Sequence, residues 1–294
     1  MTEPQTQDRW ARWLLETRFA GDPERKKSFM EGLVPVRDRV LANATVTEGD
    51  VLLDVGAGDG LIAFGALPLV GKSGKVVFSD ISQDLLDQSR SIAEQLGALD
   101  RVEFLRASAD NLSALPDASV DVITTRSVLI YVERKQQAFD EFFRVLGPGG
   151  RLSIFEPINR FHYPEPPGVY VGFDVWPIQE IAAKVRALYE RLQPLNSDPM
   201  VNFDERDLLA HAEAAGFDEI HLDYEATIRP KKPLRWEHLF RTSGNPNIPT
   251  LEDAVYQTLT PSEAEEFVAY LRPRVEVGEG MDREARAYLW AAKR

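Results

Sequence analysis

The chain has 294 residues, 44% of them hydrophobic, which is enough to bury a substantial core; 34 Lys and Arg against 47 Asp and Glu leave a net charge of −13. The excess acid is spread out, with residues 1–50 summing to −1, 51–150 to −5 and 151–294 to −7, so no segment offers the clustered cations that a nucleic-acid partner requires. There is no cysteine, which excludes disulfides, thiolate metal sites, iron–sulfur clusters and thiol nucleophiles.

The opening run MTEPQTQDRWARW lacks the basic-then-apolar pattern of a secretion signal. No stretch approaches the roughly 18 uninterrupted apolar residues of a membrane span. A soluble, cytoplasmic protein is expected. From Thr6 to Phe19 the side chains of Trp10, Trp13, Leu14 and Thr17 fall on one helical face. Asp22-Pro23 has the form of an N-cap followed by proline in the first turn, and Phe29, Leu33, Val36 and Val40 continue a second helix with a kink expected at Pro35. Residues 1–48 therefore read as a helical cap.

After Gly49-Asp50, short apolar runs alternate with amphipathic stretches, the pattern of βαβ units around a parallel sheet. Strands are predicted at Val51–Val55, Lys75–Ser79, Val102–Arg106, Val120–Thr124 and Arg151–Glu156, with helices at Leu61–Val70, Gln83–Leu96 and Arg134–Leu146. These make a core over 49–156. Beyond Glu156 the rhythm breaks, and 157–175, rich in proline, glycine and aromatics, reads as an irregular loop. Helices follow at Pro177–Leu192 and, capped by Asp204, at Glu205–Ala215, then a strand at Glu219–Ile228. Residues 230–280 read as an insertion with helices capped by Thr250 and Thr260, the latter with capping-box spacing to Glu263. A last strand is expected at Ala285–Ala292. Residues 157–294 are taken as the acceptor side of the same structural domain. The cations Arg229, Lys231, Lys232 and Arg235 read as a solvated loop.

The most informative segment is Val51-Leu-Leu-Asp-Val-Gly-Ala-Gly-Asp-Gly60, an apolar strand running through Asp54, Gly56, Gly58 and Gly60 directly into a helix. Glycines at such a turn let the backbone approach a ligand and aim helix N–H groups toward it. Taken alone the turn is ambiguous, since nicotinamide and flavin enzymes use a similar one.

The spacing is Asp-x-Gly-x-Gly-x-Gly; Asp80 closes the second strand, Asp110 follows the third, and Leu146-Gly-Pro-Gly-Gly-Arg-Leu152 turns into the fifth. With these features the chain resembles the class I S-adenosylmethionine-dependent methyltransferases across 33–156 and again at 284–293. The resemblance implies a Rossmann-like, doubly wound α/β fold. Its seven-stranded, mostly parallel sheet would carry an antiparallel last strand, with N-terminal helices and a helical insertion added. It also implies S-adenosyl-L-methionine as cofactor, with Gly56, Gly58 and Gly60 along its methionine portion and Asp54 near its amino group. Asp80 would meet the ribose and Ile81 the purine, Asp110 and Asn111 the adenine amine, and Arg126 and Ser127 the sulfonium side. For Gly60 helix packing is the competing reading, for Asn111 a turn, and for Arg126 a structural ion pair.

Methyl transfer from a sulfonium is an in-line displacement, for which positioning and desolvation supply much of the rate; a base is needed only for an acceptor proton of high pKa. The family therefore has no fixed catalytic residue. Because ligands meet the carboxyl ends of the strands, Tyr131, Glu156 and His162 are the catalytic candidates, with Tyr163 beside them. Glu156 has an alternative as an anchor for the loop that follows it. His211, His221 and His238 read as structural. Trp10, Trp13, Phe19, Phe161, Tyr163, Tyr170, Phe173 and Trp176 are candidates to roof a partly apolar acceptor, and packing is the alternative for each tryptophan. The expected partner is a small-molecule acceptor methylated at O, N or C, with no nucleic acid and no membrane; the insertion is a candidate homodimer interface. Competing readings are a nicotinamide-dependent oxidoreductase and a non-catalytic methyltransferase-like scaffold.

Overall fold

A computed structural model describes residues 7–294; Thr6, the expected start of the first helix, lies outside the described residues. Helix α1 (Arg9–Leu15) begins where the Asp8 side chain accepts from the N–H groups of Trp10 and Ala11, two donors with no intrahelical partner. It is shorter than the sequence pattern suggests. After Glu16 the chain tightens into a 3-10 turn over Thr17–Phe19 and reverses at Ala20 with φ 52°. Helix α2 (Pro23–Asn43) has the expected Asp22 cap and Pro23 start, and it runs on through Pro35.

The alternating segment folds as β1 (Val51–Val55), α3 (Leu61–Val70), β2 (Lys75–Asp80), α4 (Gln83–Gln95), β3 (Val102–Arg106), β4 (Val120–Arg126), α5 (Lys135–Val145) and β5 (Leu146–Pro157). Strand β5 takes in the Gly147–Gly150 turn, and the extra length is absorbed by a register shift between Val120 and Val122. The expected 157–175 loop contains a small hairpin, β6 (Val169–Tyr170) and β7 (Phe173–Asp174). Then come α6 (Gln179–Leu192), α7 (Glu205–Ala215), β8 (Glu219–Pro230), α8 (Trp236–Phe240), α9 (Leu251–Thr258), α10 (Pro261–Val277) and β9 (Met281–Ala292). Thr250 caps α9, and Thr260 with Glu263 closes a capping box on α10.

The sheet order is β3-β2-β1-β4-β5-β9-β8, with β9 antiparallel to both of its neighbours and the five strands β1–β5 parallel. This is the expected doubly wound, seven-stranded class. Neighbouring residues of a strand serve opposite faces: Leu53, Ile123, Leu152 and Ile154 pack with Phe139, Phe142 and Leu208, whereas Leu52, Val76, Phe78 and Val122 pack with Val40, Ala63, Ala66 and Leu86. A third core joins the hairpin to the insertion through Tyr170, Phe173, Val185, Trp236, Phe267 and Leu271. Among the described residues no helix is long and apolar enough to cross a membrane. The topology reverses between β1 and β4, and that reversal opens a crevice at their carboxyl ends.

Entry into α3 depends on Gly60. Its φ is +80°, and a Cβ there would lie 2.4 Å from the Phe64 ring. Gly60→Ala is therefore expected to cost about 1–3 kcal/mol from backbone strain and overpacking, seen as a lower urea-unfolding midpoint.

Candidate active site

Three carboxylates close strands at the crevice, and each spends its oxygens on the backbone of a neighbouring loop or helix. Asp54 at the end of β1 is buried and accepts from Thr124 Oγ1 at 2.9 Å and the Ala63 N–H at 3.1 Å. Burial pushes it up to about 7 against those bonds. Asp80 at the end of β2 accepts the Gly58 N–H on Oδ2 and the Ser82 N–H on Oδ1, both at 2.9 Å, and burial raises its pKa. Glu156 in β5 is fully buried. Its Oε1 accepts from the N–H groups of Val128 and Leu129 at 2.9 Å and its Oε2 from Ile130 at 3.2 Å. Burial pushes it up to about 7 although those donors and Lys135 pull it down.

Two adjoining cavities lie over these strand ends. The first, about 530 Å³, is walled by Gly56, Gly58, Asp80 and Ile81, by residues 107–110, and by Arg126, Ser127 and Tyr131. Trp10, Trp13, Leu14 and Arg18 complete it from the α1 side. Helix α1 is held over the cavity at both ends. Ser82 Oγ donates to Asp8 Oδ2 and the Asp8 N–H to Asp84 Oδ2, both at 2.6 Å, while Trp13 Nε1 donates to the Ser243 carbonyl at 3.1 Å. Trp10 meets Tyr131 edge-on at 4.9 Å. The second cavity, about 1080 Å³, extends beneath the hairpin and insertion, and Trp13, Arg18 and Gly244 line both chambers.

Of the residues expected at the cofactor, Gly56, Gly58, Asp80, Ile81, Asp110, Arg126 and Ser127 are brought together on the first wall. Three do not line it, and each has other contacts. Asp54 faces Thr124 and α3 rather than the cavity. Gly60 serves the entry to α3. Asn111 is exposed, and its Oδ1 accepts the Ser113 N–H as a turn residue does. Among the described residues Arg126 forms no ion pair, whereas Asp110 is held by Ser108 and Arg134.

Tyr131 lines the first cavity and His162 the second; the His162 Nδ1 is buried without a partner, and burial lowers the ring's pKa. Glu156 lines neither. Its oxygens are committed to three amides of the loop after β4, so it anchors that loop and not, as the alternative had it, the one that follows it. Of the aromatic set, Phe19, Tyr163 and Tyr170 line the second cavity and Trp13 both, whereas Phe161 and Phe173 pack into cores and Trp176 is 55% exposed. His211 meets Gln136, His238 meets Asp22 and His221 stacks on Trp290. Arg229 and Lys231 pair with Glu284 and Asp282. Sequence reasoning missed Arg18, Asn159, Met200 and Gly244, which reach the first wall from distant segments and carry no local motif.

The residues present fit a nucleoside cofactor with an amino-acid tail. Gly56 and Gly58 sit at φ +67° and +55°, and a Cβ on Gly56 would strike Val128 at 2.3 Å. Each Asp80 oxygen uses one lone pair on the backbone and keeps another for a hydroxyl. Fold and site together define a class I S-adenosyl-L-methionine-dependent methyltransferase acting on a small-molecule acceptor. The ubiE/COQ5 methyltransferase family matches residues 35–225, more than half of the sequence, and the chain belongs to that family. It is 33% identical over 185 residues to the ubiquinone/menaquinone biosynthesis C-methyltransferase UbiE of Cronobacter sakazakii, covering 60% of this chain and 69% of that protein. With UbiE of Escherichia fergusonii it shares 31% over 182 residues and the same coverage. A solved structure of a candidate methyltransferase from Bacillus halodurans C-125 superposes with a TM-score of 0.53 at 20% identity, over 87% of this chain and 98% of that one, a likeness of fold.

The buried carboxylates set a pH dependence. Asp54 and Glu156 titrate near 7 when folded but near about 3.9 and 4.3 when unfolded, so the folded state binds more protons between these limits. Their contribution is fully present below about pH 4 and is lost as pH rises through about 7. Urea midpoints are expected to fall from about pH 5 to about pH 8, and Glu156→Gln to flatten that slope.

Proposed function

We propose that the protein transfers a methyl group by in-line displacement to a carbon or oxygen of a small, partly apolar, quinol-like acceptor held in the larger cavity. The observation that carries this reading is the common wall of the two chambers, at Trp13, Arg18 and Gly244. It allows the tail of one ligand and the reacting atom of another to meet away from bulk water. When bound, S-adenosyl-L-methionine supplies a methyl group on a positively charged sulfur that departs as a neutral thioether.

On this reading the chain's own residues position and desolvate. Gly56 and Gly58 leave room for the methionine portion, Asp80 accepts the ribose hydroxyls, Ile81 flanks the purine and Asp110 takes the adenine amine. Arg126 and Ser127 border the reacting end. The printed role of the UbiE relatives, C-methylation in quinone biosynthesis, supports a carbon acceptor. Much of the larger cavity is built from residues outside the matched 35–225 segment, among them Phe19, Arg25, Phe29, Ile248 and Met281, which supports an acceptor particular to this chain. The helical cap, cofactor core and acceptor side then correspond to 1–48, 49–156 and 157–294. The acidic sequence fits a cytoplasmic enzyme with no nucleic-acid partner.

Isothermal titration with S-adenosylhomocysteine and, separately, NADH tests the reading, and binding of the first alone is expected. Asp80→Ala is expected to weaken S-adenosylhomocysteine binding by about tenfold or more and, with the Gly58 and Ser82 amides left unpaired, to lower the melting temperature while unfolding stays a single cooperative transition. Unchanged affinity removes the ribose assignment.

A further inference from the structure

Arg18 follows α1 in the 3-10 turn and stands half-buried in the wall between the chambers. Its guanidinium carbon lies 4.5 Å from the Phe29 ring centroid, 4.9 Å from Trp13 and 5.9 Å from Phe19. These rings hold the group in place and leave its N–H donors uncommitted. Among the described residues neither Arg18 nor Arg126 forms a side-chain hydrogen bond or ion pair. Of the other cations of the larger cavity, Arg25 donates to the His238 carbonyl at 2.9 Å, Arg186 to the Val169 carbonyl, and Lys231 pairs with Asp282 at 2.6 Å, whereas Arg283 lines that chamber and not the first.

Burial first, and then the charge of Arg126, push Arg18 down to about 10, while Tyr131 and Asp59 pull it up. It remains cationic at neutral pH beside a second cation. The Tyr131 hydroxyl stands on the same wall and is pushed up to about 12, chiefly by burial, so it stays a neutral donor. Two like charges and a hydroxyl donor stand on one cavity wall, where among the described residues Asp59 and Asp54 act on them only through space and no carboxylate is hydrogen-bonded or ion-paired to either arginine, an arrangement that an anion completes.

We propose that Arg18 and Arg126, with the Tyr131 hydroxyl as third donor, form an oxyanion site that takes the acceptor with its reacting hydroxyl ionised as a phenolate or enolate. This rests on the methyl-transfer reading above. The proton leaves for solvent as the acceptor binds, so the wall needs no general base. The new bond forms from the oxygen, or from the ring carbon beside it, as the methyl–sulfur bond breaks and its electron pair goes to sulfur. A methylated ring carbon then releases its own proton to solvent, which restores aromaticity and returns the oxygen as the phenolate. The same donors would also suit the carboxylate of the cofactor's methionine portion, so the test separates the two sources.

The probe is para-nitrophenol, whose yellow phenolate reports its own ionisation, added to protein saturated with S-adenosylhomocysteine. Bound probe is expected to show an ionisation constant raised by at least about tenfold. Arg18→Gln and Arg126→Gln should each abolish that shift and weaken phenolate binding by about tenfold; for Arg18→Gln, whose side chain has no part in the cofactor assignment above, S-adenosylhomocysteine affinity should stay within about twofold. Arg18→Lys, which keeps the charge, should retain part of the shift. Absence of probe binding to the wild type, or an unshifted probe, overturns the proposal. So does a loss of S-adenosylhomocysteine affinity in Arg18→Gln that spares methylthioadenosine, which lacks the amino-acid portion and would assign Arg18 to the cofactor. If Arg18→Gln does not fold, the wild-type titration and Arg126→Gln decide. Failure of wild-type protein to bind S-adenosylhomocysteine is a separate result and sinks the methyl-transfer reading itself.

Discussion

The crevice depends on one repeated interaction: an acidic side chain at the end of a strand accepting backbone N–H groups from the next element over. Asp54 takes the Ala63 amide, Asp80 takes those of Gly58 and Ser82, and Glu156 takes those of residues 128 to 130. A turn that leaves a strand end has amides with no ladder partner, and a buried one left unmade costs about 1–3 kcal/mol. The carboxylates remove that cost and fix the loops at the same time. Their own burial is unfavourable, as the raised pKa values of Asp54 and Glu156 record. Rigidity at the site is thus obtained against a desolvation penalty that a purely apolar core would not carry.

The roof uses weaker and more local means. Helix α1 has only seven residues, too short to be stable by itself in water, so its position comes from its attachments. The Asp8 carboxyl caps the helix and also receives the Ser82 hydroxyl, two residues from Asp80. The formation of α1 is therefore tied to the same β2–α4 turn that shapes the first cavity. At its other end Trp13 reaches the insertion. The short helix is thus fastened to core and insertion together, over the wall that the two chambers share.

The parallel half of the fold was legible because its signals are local. Apolar runs of strand length, caps such as Asp22 and Thr260, and the glycine turn each lie within a few residues, and the strand and helix limits were predicted to within a few positions, apart from the start of β5. What could not be read was partnership across the sheet. Glu156 is an anchor because Arg126 pairs with Phe155 and so brings the 128–130 loop over the next residue of β5, a register that no single segment encodes. Asp54 shows the same limit: an acid at a strand end was visible, but its bond to Thr124 depends on β1 lying beside β4. Arg18 carries no motif at all, and only the docking of α1 across the insertion gives it meaning.

Charge balance links the two chambers. On the proposed reading a cationic sulfonium would sit beside Arg126 and Arg18, and close like charges at a partly buried site repel by on the order of 1–4 kcal/mol. With only the cofactor bound, that repulsion opposes the productive position of its sulfur. An acceptor oxyanion between the arginines and the sulfonium adds three attractive pairs, one to each cation, at shorter range than the three repulsive pairs among the cations themselves. Binding free energies are reciprocal, so whatever the acceptor contributes to holding the sulfonium, the sulfonium contributes to holding the ionised acceptor. A neutral acceptor would receive no such help. On the oxyanion reading, the arginines would therefore select the protonation state of the acceptor as well as its position, so that the ground-state complex is already the reactive ion pair and the transfer neutralises both charges in one displacement.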